Sequence, residues 1–437
     1  MKKIGSNHWW YIALKSYLRF LHEGLMVRHR YMLGLDKLPL PSERYFIVSN
    51  HQNTANDPLN IIFNFPIRYH ICALARANVF QVHPWITRFL RWIGLMPAFR
   101  FGWEGGEGLE ENFQSFDEVA SRVNDGYSVI VFPEAGHTQG HYLDRFTTGA
   151  VRMAFHSARQ NGWQKDIKIV PTAHHYADYF GIRTDFVWMI SDPISLKPYY
   201  DKFQQHPNAT MRDITHELRE RIRGMILDEG SDDYETKEFL RTSALNPATM
   251  RKMPLPERLE SDKLFFRQLQ EHPHQTDIIR LAGQLKATEE AICTDDSTME
   301  RRPCWFSTLF KIVPLTVLLP LWIICLWPHA ICYVLPPRFI REDKMFTNSY
   351  RYILSALLLY PLFALLTFLT LGLVRGWWWQ AAVWILLWIP TGQFAWWYWQ
   401  LLRQTYRTIR WHLASNRLLH EADNIRNQIK YILNLHE

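Results

Sequence analysis

The stretch Val48-Ser49-Asn50-His51-Gln52-Asn53-Thr54-Ala55-Asn56-Asp57-Pro58 holds residue types that can move a proton. A neutral imidazole is a base suited to pH near 7, and a carboxylate behind it fixes its tautomer and stabilises the imidazolium. His51 and Asp57 supply such a pair if the loop between them folds back. No Ser or Cys stands out beside them as a nucleophile, so the attacking hydroxyl would belong to a substrate. A second carboxylate, Glu134, lies in the later segment Phe132-Pro133-Glu134.

These side chains need elements to hold them. The apolar run Tyr45-Phe46-Ile47-Val48 reads as a short buried strand that stops at Ser49-Asn50. Asp57-Pro58 is a helix-start signal, with Asp as N-cap and Pro at the first helical position. His51 therefore lies in a strand-to-helix loop. From 36 to 230, strand candidates at 44–49, 70–75, 128–132, 167–172 and 186–190 alternate with helix candidates at 57–65, 84–93, 110–125, 147–161 and 209–228. That alternation predicts an α/β domain with a mostly parallel sheet flanked by helices. In such sheets a site gathers at loops leaving the strand C-termini, where His51 and Glu134 both fall. His174-His175 reads as packing near the end of a strand.

The remaining regions differ in composition. The chain carries a net charge of +7, which suits anionic lipid, a phosphorylated substrate or nucleic acid. Of its 19 tryptophans most lie beyond residue 300, beside apolar segments, which favours a membrane interface over nucleic acid. The five cysteines, Cys72, Cys293, Cys304, Cys325 and Cys332, have no metal-like or redox-like spacing and read as free thiols of a reducing compartment. The N-terminal residues lack the apolar core of a secretory signal. Residues 1–35 read as an amphipathic helix, basic and aromatic, that lies in a bilayer interface or packs on its own domain. Residues 231–303 read as a polar helical linker.

Residues 304–402 form a transmembrane region. The stretch 309–335 is apolar but interrupted by Pro314, Pro320 and Pro328, as in a re-entrant or broken helix. The stretches 352–374 and 377–402 reach the roughly 20 residues a bilayer needs. Arg338, Arg341, Lys344 and Arg351 precede this pair and Arg403, Arg407 and Arg410 follow it, with only Arg375 between. The positive-inside rule makes 352–402 a hairpin with cytoplasmic ends. The tail 403–437 reads as a basic amphipathic helix.

Four segments in order, Asn50-His51 to Asp57, Gly94 to Arg100, Phe132 to Thr138 with Arg145-Phe146-Thr147-Thr148-Gly149-Ala150, and Ile169-Val170-Pro171, resemble the glycerolipid acyltransferase superfamily over roughly residues 40–195. That superfamily includes the glycerol-3-phosphate and 1-acylglycerol-3-phosphate (lysophosphatidate) acyltransferases. Two departures stand out. The first motif usually has four residues between His and Asp, and here there are five, so Asn56 holds the usual position and is the rival of Asp57. The third motif has Ala135-Gly136-His137 where the family has Gly-Thr-Arg, so its cation is absent or replaced by His137.

The resemblance implies His51 as base and Asp57 as its orienter, with Arg100 at the acceptor phosphate. It adds Glu134, Gly136, Asn50 and His137 as substrate contacts. It implies a membrane-bound O-acyltransferase of phospholipid synthesis. A fatty acyl group would pass from acyl-CoA or acyl-carrier protein to glycerol-3-phosphate or 1-acylglycerol-3-phosphate, with no metal or bound cofactor. The partners expected are a phospholipid membrane, the acyl donor and the acceptor, with no nucleic acid. The catalytic domain is expected on the cytoplasmic face of an integral membrane protein. The alternatives are a lysophospholipid remodelling acyltransferase or transacylase, and a non-catalytic scaffold that keeps the fold.

Overall fold

The computed structural model describes residues 8–40, 43–98, 108–134, 140–179, 181–250, 253–339, 349 and 351–433. The chain forms two compact units, one of Met1–Glu23, Val27–Ile226 and Lys344–Ser349, the other of Gly24–Met26, Leu227–Asp343 and Tyr350–Glu437.

The first unit is built on one mostly parallel, mixed sheet. Its strands are β1 (Val27–Leu33), β2 (Arg44–Ser49), β3 (Ile71–Arg76), β4 (Leu95–Ala98), β5 (Ser128–Val131), β6 (Ile167–Tyr176), β7 (Thr184–Ile190) and β8 (Ile194–Ser195). Their spatial order is β1-β7-β6-β2-β5-β3-β4, with β8 paired to β6. β2 lies between β5 and β6, parallel to both, so its side chains meet apolar cover on each face. Tyr45 and Ile47 join Ile61, Phe65, Val170 and Trp188 in one cluster. Phe46, Val48, Ala120, Val129, Val151 and Phe155 are buried as well. Burial on both faces explains why the strand reads as a continuous apolar run rather than an alternation. Each such side chain contributes about 1.5–3 kcal/mol. The helices Gly108–Asn124, Gly149–Gln160 and Pro207–Met225 cover the sheet.

The N-terminal helix α1 (His8–Leu21) is shorter than its pattern predicts. A single π-turn, His22–Met26, ends it, and Val27–Leu33 is a strand parallel to β7. One face of α1 packs on its own unit. Tyr11 stacks on His70 at 3.9 Å, and Lys15 Nζ donates to the carbonyls of Pro66 and Tyr69 at 3.0 Å each. The other face leaves Trp9, Trp10 and Phe20 exposed. β4 is not among the strand candidates of the sequence. Pro97 sits in it, which an edge strand tolerates and a central strand does not.

In the second unit the polar stretch 231–303 is helical, as its pattern predicts, and buries apolar side chains. Leu240, Leu259, Phe266, Leu269, Ile278, Ala282 and Leu285 are buried across Tyr234–Thr242, Leu255–Glu271 and Gln275–Ile292. Two helices, Trp305–Cys325 and Arg351–Arg375, are long and apolar enough to cross a membrane. Many of their apolar side chains face outward, including Phe310, Val317 and Leu373. The first runs unbroken through Pro314 and Pro320 and ends at Cys325, ahead of a short helix, His329–Val334. It packs against Trp388–Leu413, with the Trp322 indole N–H bonded to the Ala395 carbonyl and the Tyr398 hydroxyl to the Leu315 carbonyl. The stretch 377–402 divides at Leu387 into Trp378–Leu386 and Trp388–Leu413, so Arg403, Arg407 and Arg410 lie inside a helix and the tail helix begins only at Asn416.

Candidate active site

β2 ends at Ser49, and the chain crosses a tight loop into α2 (Asn56–Asn64). The helix starts two residues earlier than the Asp-Pro signal predicts, which places Asp57 in its first turn, where a carboxylate is favoured. Asp57 turns back toward the loop it follows. Its Oδ2 lies 2.9 Å from His51 Nδ1 and accepts the backbone N–H groups of Gln52 at 2.9 Å and Asn53 at 2.8 Å. Its Oδ1 accepts the Tyr176 hydroxyl at 2.7 Å. The carboxylate is fully buried, whereas the His51 side chain keeps 17% exposure. Asn56, the rival at the more usual spacing, instead donates to the Asn53 side chain at 3.1 Å.

Thr54 takes up the extra residue of the loop at φ 42°, a conformation a β-branched side chain rarely adopts. Ser349, far along the chain, braces that turn. Its hydroxyl bonds the Thr54 hydroxyl, accepts the Ala55 N–H at 3.1 Å and lies 3.4 Å from the Asn53 carbonyl.

Glu134 follows β5, and a bridge to Phe146 fixes its backbone. Its Oε1 accepts the His51 backbone N–H at 2.9 Å, so two segments 83 residues apart are tied together. The Phe132 ring stacks on the imidazole at 4.1 Å. Asn50, expected at the substrate, is buried and serves the loop instead. It donates to the His174 carbonyl and the Gln52 side chain at 2.9 Å each, and accepts the His174 N–H at 2.7 Å. Its amide thus carries the β2–β6 pairing one step past the end of β2. Arg100, Gly136 and His137 lie outside the described residues.

Burial opposes ionisation of Asp57, but the bond from His51 and the backbone donor of Asn53, with others, hold its carboxyl below the usual carboxylate range. His174, buried against Ser49 with Nδ1 3.0 Å from the hydroxyl, is pushed by that burial down to about 4 and is neutral at pH 7. Burial, and then the Asp57 charge, raise the Tyr176 hydroxyl well above its ordinary value, so it stays a donor. The ionised carboxylate fixes the imidazole with its proton on Nδ1 and its lone pair on Nε2. Such a pair can take a proton from a hydroxyl brought to Nε2.

The structure brings His51, Asp57 and Glu134 together as the sequence predicts, and supports them with Tyr176, Gln52, Phe132 and Ser349, which no motif singles out in that role. Tyr176 sits where β6 runs four residues beyond its expected end. Ser349 carries no local signal at all.

A buried carboxylate bonded to an imidazole at the C-terminal edge of a mostly parallel α/β sheet is an arrangement that can activate a hydroxyl by general base. Residues 31–175 match the family model described as Acyltransferase, which gives the chain an acyltransferase domain. Among solved structures the 1-acyl-sn-glycerophosphate (LPA) acyltransferase PlsC from Thermotoga maritima is similar, with a TM-score of 0.34 and 13% identity over 51% of this chain and 84% of that one. No curated protein sequence matches the chain.

Proposed function

We propose that the protein moves a fatty acyl group from a thioester, acyl-CoA or acyl-carrier protein, to a hydroxyl of glycerol-3-phosphate or 1-acylglycerol-3-phosphate. The observation that carries the reading is the His51–Asp57 pair, bonded at 2.9 Å with the carboxylate buried and the imidazole partly open. In this mechanism the acceptor hydroxyl gives its proton to His51 Nε2 as its oxygen attacks the thioester carbonyl. The tetrahedral intermediate collapses, the carbon–sulfur bond breaks, and the imidazolium returns the proton to the leaving thiolate. Asp57 stabilises the imidazolium between the two transfers. Arg100 would hold the acceptor phosphate, and Glu134, Gly136 and His137 would line the acceptor; these roles rest on their motifs. Asn50 is proposed to shape the loop rather than touch the acceptor.

The long acyl chain of donor and product accounts for a bilayer anchor. The apolar helices Trp305–Cys325 and Arg351–Arg375 suit that role, and the arginines flanking the second region favour a cytoplasmic catalytic unit. Transfer from palmitoyl-CoA to glycerol-3-phosphate or lysophosphatidate by detergent-purified protein tests the reading. Product from one acceptor, reduced by about a thousandfold or more in His51→Ala, is expected. Equal product from variant and parent would overturn it.

A further inference from the structure

His51 and the backbone N–H groups of Gln52 and Asn53 account for Oδ2 of the Asp57 carboxylate, but Oδ1 is held from behind by a residue outside every motif of the sequence. Tyr176, at the end of β6, donates its hydroxyl to Asp57 Oδ1 at 2.7 Å and accepts Asn60 Nδ2 at 2.7 Å. The Tyr176 ring packs in the core beside Tyr179 and Phe186. It is 2% exposed, and Asn60 is equally enclosed.

We propose that Tyr176, oriented by Asn60, is a positioning residue that fixes the plane of the Asp57 carboxylate and so keeps Oδ2 on His51 Nδ1; the proposal rests on the reading of His51 as the base. A carboxylate can rotate about its Cβ–Cγ bond. Three donors converge on Oδ2, and two of them are backbone N–H groups that any rotamer near this one would satisfy. Tyr176 is the side chain that anchors the opposite oxygen, so it selects one rotation. The sequence is economical: Asn60 lies one helical turn beyond Asp57 on α2, so the helix that supplies the carboxylate also orients its anchor. The fold matters too. β6 pairs with β2 in parallel, and its extension to Tyr176 carries the hydroxyl behind the loop that leaves β2.

The test is a cycle of Tyr176→Phe and Asp57→Asn in the full chain, read by steady-state transfer and by the pH dependence of His51 modification with diethyl pyrocarbonate. Tyr176→Phe is expected to lower kcat by roughly ten- to a hundredfold with acceptor KM unchanged. In the Asp57→Asn background it should add less than about twofold, because the group it acts through is gone. The pH midpoint of His51 modification should move down toward that of Asp57→Asn. Asn60→Ala, which leaves the tyrosine in place, should give a smaller loss that also vanishes beside Asp57→Asn. An equal loss in both backgrounds would make Tyr176 a packing residue and overturn the proposal, as would no loss. If the parent transfers no acyl group to any acceptor, the proposed function fails. The modification midpoint then decides alone, and an unmoved midpoint in Tyr176→Phe overturns the positioning role.

Discussion

Two buried carboxylates, one in each unit, have opposite fates. Asp57 and Glu229 both have fully buried side chains. Asp57 accepts four hydrogen bonds and is held below its ordinary range. Neither Glu229 oxygen has a hydrogen-bond partner among the described residues. Burial, and then the charge of Glu238, push its carboxyl up to about 9, against the pull of Arg241 at 3.8 Å. Burial alone therefore does not decide charge; the number of donors aimed at the oxygens does. The loop after β2 supplies such donors, which is the difference between a carboxylate that stays ionised beside an imidazole and one that stays protonated in a core.

The comparison can be broken most severely at the loop. Asp57→Asn keeps the shape but removes the charge and replaces two acceptor sites with an amide donor. Transfer should fall by about a thousandfold or more, with the wrong imidazole tautomer as the cause. Activity retained within tenfold, measured in the palmitoyl-CoA assay, would separate the carboxylate from the chemistry.

The second site can be inverted. A carboxyl whose folded pKa is raised contributes stability that is complete below its unfolded value near 4.5 and is lost as pH rises through about 9. Glu229→Gln should remove that slope and stabilise the protein by roughly 2–4 kcal/mol at pH 7. Thermal unfolding followed from pH 4 to 9 checks it: the parent should lose stability across that window more steeply than the variant, and parallel curves would contradict a protonated Glu229.

Lys15 gives a smaller, third case. Among the described residues its ammonium faces two carbonyls and no carboxylate, and burial lowers it to about 8. Here the folded state loses its proton first, so the penalty is full below pH 8 and is relieved between about 8 and 10.5. The unfolding temperature of the parent should gain a few degrees across that window relative to Lys15→Met. A difference that does not change with pH would show that the carbonyls compensate the charge.

What could be read from the sequence follows the range of the interactions involved. The pair His51 and Asp57 is local, and β2, β5 and α2 are announced by runs and turn signals a few residues long. β1 was hidden because its basic and aromatic residues continue the pattern of α1, and only its distant partner β7 makes it a strand. β4 was hidden by Pro97, and the last turn of β6 by the polar pair His174-His175, which pattern alone treats as the end of an apolar run. The site divides in the same way. Its chemical groups were legible, while their supports, Tyr176 from β6 and Ser349 from near the apolar helix Arg351–Arg375, are set by pairing and packing that no short window contains.

The brace from Ser349 has a consequence for the order in which the enzyme becomes whole. The hydroxyl that caps Ala55 and meets Thr54 is made about 295 residues after them. During synthesis the sheet of the first unit can close as soon as Ile226 has emerged, but the loop that carries His51 keeps one donor uncapped and one strained residue unbraced until the chain has passed 349. The finished loop therefore waits for a segment made long after the sheet, and a form ending at the sheet would lack the Ser349 brace.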